Sequence, residues 1–508
     1  MQNNTQDTTQ NTNKSVKSDN TKDIPIFKIE DFHVRVENAL GNEEVRNNFR
    51  VAMNGLMTRR LDMFPDKEEL ENLRTKAMEI RANSLTKLPQ LLEQLEKNCT
   101  ANGINVHWAE TCEEANNIVL DIMNKHDAKM MVKGKSMVSE EMGMNHFMEE
   151  HGIEWLESDL GEYILQLAEE PPSHIVMPTI HKNRKQIAAL FFEKFPEIPY
   201  TEDVDELTKI ARELLRDKFF AAPVGISGVN FAVAETGTIC LVENEGNGRM
   251  STTSPPVHIA VTGIEKVVEK LVDVPPLYSI LTRSATGQPV TTYFNMISSP
   301  RKTGEKGNEK DGPKEVHLVL LDNGRSTIYS DPELLDTLRC IRCSACMNHC
   351  PVYVRIGGHA YGTTYPGPIG TIFEPQKSGL DAHGELTQAS TLCGACSEVC
   401  PVRIPIADII NRLRYEGVRQ DETTTKDAGS KRKTSEALIW KTWSFAHKKP
   451  MMYGLGTKAA TRLRGLIPSK LGPWTSVRKA PKLAPKTLHE LMKEHEATSN
   501  KQGKKENK

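Results

Sequence analysis

No run of apolar residues in this sequence is long enough to cross a bilayer. Charge of one sign is not in excess either. The 65 Lys and Arg are balanced by 67 Asp and Glu, so no global field favours nucleic acid or an anionic membrane. No G-x-G-x-x-G opens a strand–helix unit, which removes the usual nicotinamide and flavin fingerprint. Gly134-Lys135-Ser136 could end a phosphate loop, but the glycine required five residues earlier is Lys129, and the motif fails. Residues 1–22 have no apolar core, so they read as neither a secretory signal nor an amphipathic transit peptide. Cysteine is scarce over most of the chain. Outside residues 340–400 only Cys99, Cys112 and Cys240 occur. That is no disulfide framework, and it points to a reducing cytoplasm.

The other seven cysteines are concentrated. Cys340, Cys343, Cys346 and Cys350-Pro351 form C-x2-C-x2-C-x3-C-P, and Cys393, Cys396 and Cys400-Pro401 form C-x2-C-x3-C-P. The first is the bacterial ferredoxin ligand run, in which the cysteine before proline serves the other cluster. That rule gives Cys340, Cys343, Cys346 and Cys400 to a first [4Fe–4S] cluster. Cys350, Cys393 and Cys396 go to a second. The second is one thiolate short, because the corresponding position is Ser390. Three chemistries stay open for it. It is a [4Fe–4S] cluster with Ser390, water or substrate on the fourth iron, a [3Fe–4S] centre, or a cluster completed by a partner. The competing reading of paired cysteines is tetrahedral zinc. The prolines also have a plain structural reading, as first residues of helices that follow each run.

Along the chain, residues 1–25 read as a disordered polar tail and 26–98 as a helical region. Residues 99–325 alternate short apolar strands with amphipathic helices, which predicts an α/β domain with a largely parallel sheet. Strands are expected at Ala128–Val132, Ile153–Leu156, Ser173–Pro178, Val257–Thr262 and Val316–Leu321. An antiparallel hairpin is expected around Thr236-Gly237. Helices are expected at Ala115–Lys125, Lys185–Phe195, Val204–Phe219 and Ile264–Leu271, and 301–314 reads as a mobile loop. Residues 332–418 hold the cysteines in a mainly α, ferredoxin-like two-cluster domain. A flexible linker at 419–434, a helical region at 435–495 and a disordered tail at 496–508 complete the chain.

The combination of motifs resembles the lactate utilization protein B family. The stretches that carry it are Lys133–Met137, Asp159–Glu162, Pro172–His174, Gly228–Gly237, Glu243–Thr253, Gly357–Gly362, Tyr365–Gly370, both cysteine runs, and Trp474, Arg478 and Pro481. The resemblance implies that 99–322 form a lactate-utilization domain, similar to the sugar-isomerase/CoA-transferase type of α/β fold. It implies three cysteines on the second cluster, so Ser390 follows the family pattern. It further implies an iron–sulfur, electron-transferring subunit of an L-lactate oxidation system, with two companion proteins and a downstream respiratory acceptor. The absence of a transmembrane run leaves room for peripheral association with a membrane.

Two loops are candidate ligand sites in the α/β region. Lys133 and Lys135 follow a strand end, where α/β sheets bind ligands; the bland alternative is a solvated basic turn. Glu243, Asn247 and Arg249 lie in a glycine-containing loop able to clamp a carboxylate; the alternative is a turn. Glu243 is also where a CoA-transferase-like fold would place a nucleophile. His174 and His181 read as structural histidines. His349 and His359 are placed to tune a cluster by bonding sulfur, or to be structural too. Trp440 and Trp443 read as ordinary packing of a terminal helix. The runner-up functions are an iron–sulfur subunit for another 2-hydroxy acid such as glycolate, and an α/β enzyme binding a carboxylate or CoA ester with structural or sensory clusters.

Overall fold

The computed structural model of the protein describes residues 31–302, 312–418, 434–466, scattered positions up to 480, and 482–506. The 301–314 loop beyond its first and last residues, the greater part of the 419–434 linker, and Trp474, Arg478 and Pro481 lie outside the described residues. The chain divides into two compact units, at 429/430.

The first unit opens with four helices, Phe32–Gly41, Glu43–Asp62, Lys67–Thr86 and Leu88–Ala101. Asp31, Asn42 and Asp66 cap the first three by accepting backbone N–H groups. The fourth starts with Pro89 in its first turn and buries Leu88, Leu91, Leu92, Leu95 and Cys99 along one stripe.

Among the described residues ten strands follow: β1 (Asn105–Ala109), β2 (Met130–Lys133), β3 (Glu154–Glu157), β4 (Val224–Ser227), β5 (Phe231–Val233), β6 (Thr238–Glu243), β7 (Val257–Gly263), β8 (Val267–Val268), β9 (Tyr293–Ile297) and β10 (Glu315–Leu321). Six form an all-parallel sheet in the order β3-β2-β4-β7-β10-β1. β7 is buried at every position, as a central parallel strand covered on both faces must be. The hairpin around Thr236-Gly237 is present, but in a separate four-stranded sheet, β8-β5-β6-β9.

Several expectations are corrected. Ser173–Pro178 is a closed loop. His174 Nδ1 accepts the N–H groups of Val176 and Met177, and Ser173 N–H and Oγ–H both donate to Pro178 O. These local bonds replace a strand ladder. Ile264–Leu271 is not a helix, although its apolar residues at 264, 267, 268 and 271 have helical spacing. Ile264–Lys266 is a 3-10 turn, Val267–Val268 pairs with β5, and Leu271–Asp273 is another 3-10 turn. Edge pairing of two β-branched residues overrides the period. The helix begins later, at Val274–Thr286, with prolines in its first turn. β1, β4, β8 and β9 lie outside the strands that the sequence predicts.

The cysteine region, from Leu335 onward, is helical in short pieces. Neither cysteine–proline opens a helix directly: Tyr353–Ile356 follows a turn, and Ile406–Glu416 starts five residues after Pro401. One continuous apolar core joins the N-terminal helices, the small sheet and this region, from Phe49 and Leu95 through Val267 to Cys346, Tyr353 and Ile410.

In the second unit Thr434–Lys448 and Pro450–Arg462 are helices, and Leu488–Glu506 is helical where a disordered tail is expected from 496. Trp440 and Trp443 are exposed and meet edge to face at 5.8 Å. Among the described residues no helix is long and apolar enough to cross a membrane.

Candidate metal centre

Each cysteine run turns in the same way. Arg342 and Ser344 flank Cys343 with φ of +59° and +62°, and Leu392 and Gly394 flank Cys393 with +54° and +81°. A left-handed residue on either side folds the backbone around the sulfur. A short helix then carries the next cysteine, Cys346 on Ala345–Asn348 and Cys396 on Ala395–Val399. In the first run Cys340 Sγ accepts the N–H of Arg342 at 3.4 Å. At the same place in the second, Ser390 Oγ accepts the N–H of Leu392 at 3.1 Å. Cys350 and Cys400 accept N–H groups three and four residues on, from Tyr353 and Ile404.

Tertiary folding brings Cys340, Cys343 and Cys346 together with Cys400. The four line one small pocket together with Ile175, Ile369 and Ile406. Burial, and then the sulfurs of Cys343, Cys340 and Cys400, push the Cys346 thiol well above its ordinary value. Cys396 instead is raised to about 11 by burial and by Cys350, with Cys393 also nearby. Cys400 of the second run thus lines one pocket with three cysteines of the first, and Cys396 lies electrostatically close to Cys350, Cys393 and also Cys346. A single zinc would hold thiolates about 3.8 Å apart, at Zn–S of about 2.3 Å. Among the described residues no three of these sulfurs lie within 4.8 Å of one another.

The surroundings are cationic, which no local motif announces. Arg60 donates to Val399 O, and Arg74 to Cys400 O at 3.1 Å. Lys266 donates to Cys340 O at 3.2 Å, and Arg339 to Arg403 O. Arg81, fully buried, donates to the carbonyls of Glu265, Val267, Leu338 and Arg339. Three of these guanidinium groups come from the N-terminal helices. Arg342 lies over the rings of Tyr365 and Phe373, 4.2 and 4.5 Å from their centroids. Thiolate-ligated iron–sulfur cores are anionic, and fixed cations offset that charge where water cannot.

The same region joins the α/β part at the C-terminal ends of β7 and β10. Arg325 binds Glu141 at 2.7 and 3.0 Å and Glu265 at 2.6 Å, all three buried. Tyr365 Oη donates to Glu141 at 2.8 Å. Arg342 Nη2 stands 3.6 Å from Glu265. Two of the motifs also meet. Tyr353 Oη donates to Ser173 O, His174 Nε2 pairs with Asn348 at 3.0 Å, and Gly358 lies so close to Ser173 that a Cβ would stand 1.9 Å from its carbonyl oxygen. His349 and His359 bond the carbonyls of Ala345 and Pro171, not sulfur. Ser173, His181 and Glu170 form a hydrogen-bonded line (2.6 and 2.7 Å), yet Ser173 is fully buried and its hydroxyl is held by Pro178 O. It braces the loop and cannot reach an external substrate. Cys99, Cys112 and Cys240 are pushed up to about 12, chiefly by burial, and are inert thiols.

The candidate ligand loops converge at the C-terminal ends of β2 and β3. A Cβ on Gly134 would touch Gly248, and Glu245 accepts the N–H of Leu160. Their charged groups are already engaged. Lys133 is fully buried, 2.8 Å from both Glu140 and Glu157 and 3.9 Å from Glu162, so it is no solvated turn. Lys135 donates to Val176 O. Glu243 accepts from Gly248 N–H, Arg249 N–H and Asn295 Nδ2, which anchors the helix Asn247–Thr253. Arg249 is exposed beside Tyr293.

Comparison with known proteins places this geometry. Residues 92–321 match the LUD domain, 336–404 a 4Fe-4S dicluster domain, and 412–497 the C-terminal region of lactate utilisation protein B. Lactate utilization protein B of Bacillus velezensis is 42% identical over 89% of this chain and 94% of its own length. That of Bacillus subtilis is 41% identical over 89% and 90%. The uncharacterized electron transport protein YkgF of Escherichia coli is 39% identical over 96% and 100%.

Proposed function

The chain belongs to the lactate utilization protein B family, and we propose that it acts there as the electron-carrying subunit of a system oxidising L-lactate to pyruvate. The observation that carries this reading is Cys400 of the second run lining one pocket with Cys340, Cys343 and Cys346 of the first, beside guanidinium groups of the N-terminal helices. Cys340, Cys343, Cys346 and Cys400 would hold a [4Fe–4S] cluster, and Cys350, Cys393 and Cys396 a second. Such clusters supply one-electron transfer. Lactate gives up two electrons, so two centres in one chain suit the stoichiometry. The chain's own part is to hold the thiolates, place N–H donors on sulfur, exclude water and supply compensating charge. Hydride chemistry belongs to companion subunits, and a downstream acceptor takes the electrons. A transferase reading has less support, because Glu243 already accepts three hydrogen bonds.

Ser390 Oγ stands where a fourth ligand belongs, which favours a four-iron second cluster over a three-iron one. Anaerobic EPR of the purified chain, as isolated and after dithionite, tests both points. The expected result is two interacting reduced [4Fe–4S] signals after dithionite, and the appearance of such signals in the oxidised, as-isolated chain when lactate and the companion proteins are added. An oxidised [3Fe–4S] signal in the intact chain would overturn the four-iron assignment. Zinc in place of iron would overturn the whole reading.

The cationic shell makes a separate prediction. The more reduced a cluster, the more negative it is, so removing a neighbouring cation should lower its potential. Arg60 is buried, and its guanidinium interacts electrostatically with Cys343. Arg60→Gln should shift the first cluster's midpoint down, on the order of 50 mV, in an EPR-monitored redox titration. An unchanged midpoint would show the charge to be screened.

A further inference from the structure

At the opposite end of the parallel sheet from these sites, the N-terminal end of β10 carries Glu315 and His317. They are two residues apart and so share a face. The helix Cys112–Lys125 covers that face, and its C-terminal cap is His126. Three ligand atoms meet there, one each from His126, Glu315 and His317, all within 4.8 Å of one another. Glu315 Oε2 is 3.3 Å from His126 and 3.4 Å from His317. Ligands at about 2.0–2.1 Å around a tetrahedral ion stand about 3.3 Å apart, so the two distances match tetrahedron edges.

The state of His317 points the same way. The residue is 3% exposed, and its Nε2 is buried without a hydrogen-bond partner among the described residues. Glu315 Oε2, at 3.4 Å, stands beyond the range of a well-formed hydrogen bond. The other ring nitrogen, Nδ1, is held by His107 Nε2 at 3.0 Å, and the two rings stack. A metal-ligating histidine is oriented in this way: one nitrogen is fixed by a neighbour, and the other is left for the ion. His126 and Glu315 are partly exposed, so an ion has a path in. Lys125 Nζ sits 3.0 Å from Glu315 Oε2, but its side chain is 62% exposed and free to swing aside.

We propose that His126, Glu315 and His317 form a binding site for a divalent transition cation of zinc's class, with solvent in the fourth position and His107 orienting His317. Two imidazoles and one carboxylate suit such an ion better than magnesium or calcium, which prefer oxygen alone. The site shares no ligand with the cysteine centre and does not depend on it.

The test is calorimetric titration of Zn²⁺ into the anaerobic, iron-loaded full chain, with X-ray absorption at the zinc edge. One equivalent is expected, with only nitrogen and oxygen neighbours. His126→Ala and Glu315→Gln should each weaken binding at least about tenfold, and His107→Phe roughly tenfold. Because His126 caps a helix at the surface, its variant keeps the test valid if changes at buried His317 impair folding. An unaltered cluster EPR spectrum in each variant confirms an intact fold. No saturable binding, sulfur neighbours at the zinc, or unchanged affinity in both the His126 and Glu315 variants would overturn the proposal.

Discussion

Replacing Arg325 by methionine is expected to destabilise the first unit by about 3–5 kcal/mol at neutral pH, the usual penalty for removing one partner of a buried ion pair. Arg325 is the central cation between Glu141 and Glu265, and all three side chains are almost completely inaccessible. Burial alone would raise the pKa of both carboxyls. Arg325, aided by Lys377 at Glu141 and by Lys266 and Arg342 at Glu265, outweighs it and holds both below the usual range. The sign of the pH dependence follows. In the wild type these depressed carboxyls contribute stability that is complete above the unfolded pKa, about 4.5. It is lost as pH falls through their lower folded values. In Arg325→Met burial is less opposed, so ionisation becomes costly and stability falls as pH rises. Guanidinium midpoints of the two proteins should therefore be closest near pH 4 and furthest apart near pH 7. Equal midpoints at pH 7 would show that Lys377 and Arg342 suffice, and the network would lose its assigned role.

The second large effect concerns cluster division. Cys400 lies in the second run but lines the same pocket as Cys340, Cys343 and Cys346. Cys400→Ala should remove the same EPR signal as Cys340→Ala and about half of the iron. Cys350→Ala should act together with Cys393→Ala on the other signal. If Cys400→Ala instead resembled Cys393→Ala, each run would hold its own cluster and the crossed arrangement would be wrong. A Ser390→Cys exchange adds a thiolate without emptying a site. It should leave the iron content unchanged and alter only the second signal.

Periodic segments were the most legible. The helices Leu88–Ala101 and Val204–Ala221 and the strands β7 and β10 are readable because one-sided burial imposes a period, or full burial an unbroken apolar run. Ile264–Leu271 shows where this fails. Residues 264, 267 and 268 are buried as in a helix, but in a 3-10 turn and an edge strand that packs beside β5. Ser173–Pro178 failed for another reason. Its short apolar run follows Ser173 and His174, whose side chains close the loop on its own backbone.

The sequence by itself determined the ligand types, their spacing and the gap at Ser390. Metal chemistry selects thiolates, and the reach of a short turn sets the interval between them. Turn-forming geometry around Cys343 and Cys393 is local and travels with the motif. Only the tertiary structure decided what surrounds those sulfurs. Arg81 reaches Glu265 across 184 residues, Arg325 reaches Glu141 across 184, and Arg74 reaches Cys400 across 326. His126 and Glu315 meet across 189. No periodicity encodes such pairs, because each depends on where separate elements dock. The docking is set by burial of apolar faces, which is blind to the identity of the polar groups carried along.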